Sequence, residues 1–153
     1  MPSRDPEPPL SSRLPQYEAL IAFQIYPLVQ QRTAHLAALH ARREALHARA
    51  DVVQALCLQP QPAAFQAPIG AGVLLHAEVD LRTSGPVLVD VGTGLHLEMA
   101  PLEALAWLRK GAAEAVSEAA VAERSLRAAV GDLQQACSAV ATLTRLAEKE
   151  AAY

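Results

Sequence analysis

Aromatic side chains are scarce in this sequence, at 4% of residues with a single tryptophan. Hydrophobic content is 52%, but much of it is alanine, which buries little area per residue. Large core residues are therefore too few for a compact globule, and a thin structure with narrow apolar seams suits the composition better. Basic residues are not in excess: the net charge is −3, which leaves no electrostatic footprint for DNA or RNA. No apolar run approaches the roughly 20 residues needed to span a bilayer. Residues 1–15 lack the apolar core of a signal peptide, so the cytoplasm and the nucleus are the expected locations. Only two cysteines are present, Cys57 and Cys137. Neither lies in a CxxC or Cys/His cluster, which argues against a structural zinc site and for free thiols in a reducing compartment.

Chemistry-bearing constellations are also missing. No Ser-His-Asp order stands out, and the carboxylates fall mostly on solvated helix faces, so an enzyme is not expected. No catalytic, cofactor-binding or metal-ligating residue is assigned. His40, Glu44 and His47 share a helix face at metal-like spacing, but Arg42 and Arg43 beside them would repel a cation, and a solvated face is the better reading. Gly92-Thr93-Gly94 lacks the context of a phosphate loop and precedes a strand, so it reads as a hairpin turn. Trp107 reads as core packing.

What is present is periodicity. Five of the eleven prolines stand at 2, 6, 8, 9 and 15, which marks residues 1–15 as a disordered, proline-rich tail. A single domain is expected over 16–150. Its first part, 16–58, is helix-permissive apart from Pro27, where a helix either restarts or kinks. Leu39, Leu46 and Val53 recur every seven residues, and Val29, Leu36, Ala50 and Cys57 form the companion seam, broken by Arg43. Residues 102–150 hold a second helix weakened only by Gly111 and Gly131. There Leu105, Ala112, Ala119, Leu126, Leu133, Val140 and Ala147 form one expected seam. The other expected seam is Leu102, Arg109, Val116, Glu123, Val130, Cys137 and Thr144. At 1.5 Å per residue the second helix is about 70 Å long. Cys57 and Cys137 should then lie far beyond disulfide reach.

Between the helices, over 63–100, the period falls towards two. Four short strands are expected at about 64–69, 73–79, 86–91 and 95–99, with turns at Gly70-Ala71-Gly72, Ser84-Gly85-Pro86 and Gly92-Thr93-Gly94. Val87, Val89 and Val91 should share one face, and Leu95, Leu97 and Met99 should alternate with His96 and Glu98. The fold class is thus α+β, mainly α: a long antiparallel two-helix coiled-coil hairpin with two β-hairpins inserted between its helices. Four short strands on one helix pair cannot bury both sheet faces, and open edges invite pairing. The insert therefore reads as an assembly device, carried by Val73, Leu75, Val87, Val89, Val91, Gly92, Gly94, Leu95 and Leu97.

The stretch 68–108 resembles the α-type subunits of the prefoldin family, most specifically at VLVDVGTGLHLE, residues 87–98, and the helix start that follows. Leu95-His96 departs from the paired aromatics usual after that Gly-x-Gly turn. The resemblance implies a subunit of a hexameric, ATP-independent holdase chaperone. Its partners would be β-type prefoldin or prefoldin-like subunits and non-native client proteins, with an AAA+ co-chaperone complex for the prefoldin-like branch. Alternatives are a core subunit passing actin or tubulin to a chaperonin, and a coiled-coil transcriptional adaptor acting outside any chaperone complex. The apolar run Leu20, Ile21, Phe23, Ile25, Tyr26 and Leu28, with Val140, Leu143 and Leu146 opposite, is denser than one seam requires. It is either ordinary seam packing or an extra subunit contact, or else a client- or partner-binding tip.

Overall fold

A computed structural model of the chain describes residues 10–58, 62–80, 85–92 and 94–152. The order is α1 (Leu10–Leu20), a π-helical turn (Ile21–Ile25), α2 (Tyr26–Leu58), β1 (Ala63–Gly70), β2 (Val73–Val79), β3 (Val87–Gly92), β4 (Leu95–Met99) and α3 (Pro101–Ala151). The helix, four-strand, helix order matches expectation, and each strand lies within one residue of its expected range. Residues 1–9 of the expected tail lie outside the described residues, as do Ser84 and Thr93 of the expected turns.

The chain divides into two compact units. One is Leu39–Ser117; the other comprises the described parts of Met1–Ala38 and Glu118–Tyr153. In the first, β1 pairs antiparallel with β2, and β3 with β4, as two separate two-stranded sheets. Leu46 and Ala50 of α2 pack with Leu105, Leu108 and Ala112 of α3, and Val53 and Trp107 lie against this cluster. Gly111 sits where α3 meets Leu46; an added Cβ would stand 3.4 Å from Leu46 Cδ1. Arg109 Nη2 donates to Gln54 Oε1 at 2.6 Å. Rising numbers on α3 thus meet falling numbers on α2, so the helices run antiparallel within this unit.

The α2 seams are those expected. Val29, Arg32, Leu36, Leu39, Arg43, Leu46, Ala50, Val53 and Cys57 are all at least half-buried, and their spacing alternates between three and four, the coiled-coil signature. On α3 one expected seam holds, from Leu105 to Ala147. The other is displaced by one residue. Leu108, Ala115, Ala122, Ala129, Ala136 and Leu143 are the protected set, whereas Leu102, Arg109, Val116, Glu123 and Cys137 are exposed and only Val130 and Thr144 of the expected seam are half-buried. Glu123 instead pairs with Arg127 on the outer face at 3.2 Å. The physical reason is side-chain size. Alanine lets two backbones approach closely, and a valine in the same position would hold them apart. Six of the eleven buried apolar residues are alanine, and no large side chain is fully buried among those described. An alanine methyl contributes about 0.8 kcal/mol on burial against about 1.5–3 kcal/mol for a leucine, so this seam is long but weakly bound.

In the second unit the first helix begins at Leu10, not at residue 16. The proline-rich tail therefore does not extend to residue 15. Pro15 lies inside α1, where it forfeits one hydrogen bond, to Ser11, while the ladder continues on either side. Pro27 neither ends nor restarts the helix. The Tyr26 N–H donates to the Ile21 carbonyl, five residues back, and Leu20 and Tyr26 both have right-handed helical backbone. Pro27 has no N–H for the Phe23 carbonyl, and the wider turn stands directly before it. The extra residue also keeps the register. Ile21, Ile25 and Val29 are half-buried at two successive spacings of four, which a regular heptad does not allow without an inserted residue.

Candidate assembly surface and helix-end apolar patch

The β region is shaped by its turns. Gly70, Ala71 and Gly72 have φ of 105°, 48° and 76°, and Gly92 and Gly94 have φ of 100° and 77°. Glycine adopts such values without Cβ strain; Ala71 does so at a cost. The Gly92 N–H donates to Asp90 Oδ1 at 2.9 Å, tightening the bend at the end of β3.

In β3, Val87 and Val91 are half-buried and Val89 is buried, while Leu88 and Asp90 are exposed. The three valines therefore share a face, as expected, and that face is turned to the chain's own helices. Val87, Leu88 and Val89 line a groove of about 500 Å³ with Arg49, Val52 and Val53 of α2 and Leu108 of α3. Val89 is thus part of the subunit's own core, and it is paired with Leu97 of β4.

The apolar surface left open lies elsewhere in the region. Val73, Leu75, Leu95 and Leu97 are all more than half exposed. Residues outside the expected set join them: Phe65, Ile69, Leu74 and Leu88, with Val52 on α2. Register makes one face of the first hairpin apolar, since Phe65 pairs with Ala77 and Ala67 with Leu75. Phe65 and Ile69 could have been found from their period-two spacing with Ala63 and Ala67. Leu88 carries the opposite signal, an apolar residue at a strand position whose neighbours face inwards. Among the described residues every strand has a single strand neighbour, so each presents an unpaired backbone edge.

The expected tip residues separate into two sets. Ile21, Ile25, Val140 and Leu143 are half-buried in the seam. Leu20, Phe23, Tyr26, Leu28 and Leu146 are exposed, Phe23 at 80%. Tyr17, Leu20 and Ile21 also border a groove of about 220 Å³, facing Ala136, Ala139, Val140 and Leu143 of α3. Arg32 was missed by hydropathy because it is charged, yet it fills a seam position.

Among the described residues no group of three or more His, Cys, Asp or Glu side chains could hold a metal ion. His40, Glu44 and His47 are exposed. Cys57 and Cys137 are free, the first half-buried and the second exposed. No described helix is long and apolar enough to cross a membrane.

These features define a class: two long helices, the second carrying a seam of small residues, with two separate β-hairpins between them whose edges are open. The model of the prefoldin subunit family matches residues 27–146, and the chain belongs to the prefoldin family. Its fold is similar to that of the filamentous prefoldin of Methanocaldococcus jannaschii, solved by cryo-electron microscopy. The TM-score is 0.61 at 15% identity, over 77% of this chain and 96% of that one. A search of curated proteins finds no match.

Proposed function

We propose that this chain is a non-catalytic α-type subunit of a hetero-oligomeric prefoldin or prefoldin-like complex, where it acts as a holdase co-chaperone and scaffold. The observation that carries the reading is the pair of two-stranded sheets with open edges and exposed Phe65, Leu75, Leu95 and Leu97. An isolated hairpin is marginal in water, and strand pairing with neighbouring subunits would cover both the edges and the leucines. Four strands between the helices is the α-type pattern. The exposed residues Leu20, Phe23, Tyr26 and Leu146 supply apolar surface for non-native clients, which a holdase must bind without sequence specificity. Co-expression with β-type subunits tests this. A defined soluble hexamer that suppresses aggregation of an unfolded protein is expected; a monomer indifferent to such partners at micromolar concentration would sink the proposal.

Within the family, Tyr17-Glu18 with Ile21, and Leu97-Glu98 with Leu102-Glu103-Ala104-Leu105, resemble UXT, the prefoldin-like ubiquitously expressed transcript protein. On that reading the chain joins a complex linked to AAA+ ATPases and acts as a transcriptional co-regulator in nucleus and cytoplasm. Native mass spectrometry of the affinity-purified complex discriminates. AAA+ partners support the UXT-type reading, while core prefoldin subunits with actin or tubulin support delivery to a cytosolic chaperonin. A self-assembled polymer of this chain alone would instead match the filamentous state named for the archaeal relative.

A further inference from the structure

The segment Leu10–Tyr26 differs from the rest of the helical pair in two ways. Its junction with α2 has an altered hydrogen-bond ladder. The Tyr26 N–H reaches five residues back to Ile21, and Pro27 has no donor for the Phe23 carbonyl. An open groove of about 220 Å³ also runs between Tyr17, Leu20 and Ile21 on one side and Ala136, Ala139, Val140 and Leu143 on the other, so the segment leaves part of this face of α3 accessible.

We propose that Leu10–Tyr26 is a releasable arm that turns at Tyr26–Pro27 and competes with non-native apolar segments for the strip Ala136, Ala139, Val140 and Leu143. The competition rests on the holdase reading above; the hinge does not. The hinge lies where the ladder widens to the Tyr26–Ile21 bond and where Pro27 leaves the Phe23 carbonyl without its usual donor, so opening there starts from one backbone bond fewer than a regular helix has. The arm offers Leu20 and Ile21 to the strip, and an unfolded client offers the same chemistry. While the arm is docked, Ala136, Val140 and Leu143 of the strip are half-buried; once it swings out, the whole strip becomes a contiguous apolar surface on α3.

Hydrogen exchange on the full chain in its complex tests the hinge. Amides of residues 16–25 are expected to exchange about 100-fold faster than those of 33–53. Pro27→Ala, which restores a donor for the Phe23 carbonyl, should slow arm exchange about tenfold and leave α2 unchanged. Equal exchange in arm and α2, or an arm indifferent to Pro27→Ala, overturns the hinge. Competition is tested by locking the arm. A Leu20→Cys/Ala139→Cys pair, in a Cys57→Ser, Cys137→Ser background, is bridged with a short bismaleimide, and reduced carboxymethylated lactalbumin serves as client. The bridged complex should hold several-fold less client than the unbridged one, and equal holding overturns competition. If neither form holds client while the exchange contrast persists, the holdase reading and the competition both fall and the hinge stands.

Discussion

Arg32 Nη1 donates to the backbone carbonyl of Ser125 at 2.6 Å, joining α2 to α3 from a seam position that a leucine would ordinarily occupy. The bond answers the side chain's charge where the seam would otherwise bury it unpaired. A polar residue at one seam position also specifies register, because it is satisfied in a single alignment. Arg32→Ala should lower stability by about 1 kcal/mol. Arg32→Leu should restore the packing but not the alignment preference. Thermal unfolding by circular dichroism at fixed protein concentration gives the first result; hydrogen exchange across 119–133 shows the second as broadened protection. An Arg32→Ala chain as stable as the parent would show that the bond contributes nothing.

The displaced α3 seam makes a sharper claim. Ala115 is fully buried and Val116 is 48% exposed, although hydropathy alone ranks them the other way. Ala115→Leu should therefore cost about 1–3 kcal/mol by overpacking, and Val116→Ala should change stability by less than about 0.5 kcal/mol. Urea unfolding of the two variants decides the matter, and the reverse order of effects would restore the seam through Val116.

These two cases show what the sequence carries and where it misleads. The α2 seams were legible because leucine, valine and alanine recur there at spacings of three and four, even with Arg32 and Arg43 interrupting. The strands were legible because Gly70, Gly72, Gly92 and Gly94 bracket period-two runs. The α3 companion seam was not, because two frames one residue apart both fit its heptad, and the larger side chains favour the wrong one. Close approach selects alanine, a property of the helix pair that neither helix states alone. The inward face of Val87, Val89 and Val91 was legible as a face, but whether it met the chain's own helices or a neighbour depended on packing that no local pattern encodes. The π turn before Pro27 could have been suspected from two spacings of four at Ile21, Ile25 and Val29.

Gly131 lies in the middle of α3 with nothing within 4 Å of an added Cβ. Gly131→Ala should stabilise the chain by about 0.5–1 kcal/mol, the difference in helix propensity. Gly111→Ala should gain less, since its methyl would meet Leu46 Cδ1 at 3.4 Å. Melting curves of the two variants at equal concentration test the order; a larger gain at 111 than at 131 would contradict it.

Ala71 occupies left-handed backbone at φ 48° between two glycines. A non-glycine residue there costs about 1 kcal/mol. Ala71→Gly should therefore leave the first hairpin as stable or more so, the relief offset in part by the greater entropy of an unfolded glycine. Hydrogen exchange of the 63–79 amides measures it, and faster exchange in the variant would show that the turn gains more from alanine's restricted unfolded state than it loses in strain.

The division of the β region into own core and open surface is the prediction closest to function. Val89 is buried against its own subunit, whereas Leu95 and Leu97 on the neighbouring strand are 62% and 51% exposed. Leu95→Asp with Leu97→Asp should leave the helical signal of the isolated chain nearly unchanged. The same pair should abolish assembly with β-type subunits, because charges cannot be buried unpaired at a strand interface. Val89→Asp should instead unfold the subunit's β end, costing several kcal/mol, before any partner is added. Circular dichroism of each variant alone, followed by native mass spectrometry of the co-expressed mixture, separates the two effects. If Leu95→Asp/Leu97→Asp still assembles into the parent complex, the open edge that subunits share lies on the first hairpin, around Phe65 and Leu75, and the charge scan moves there.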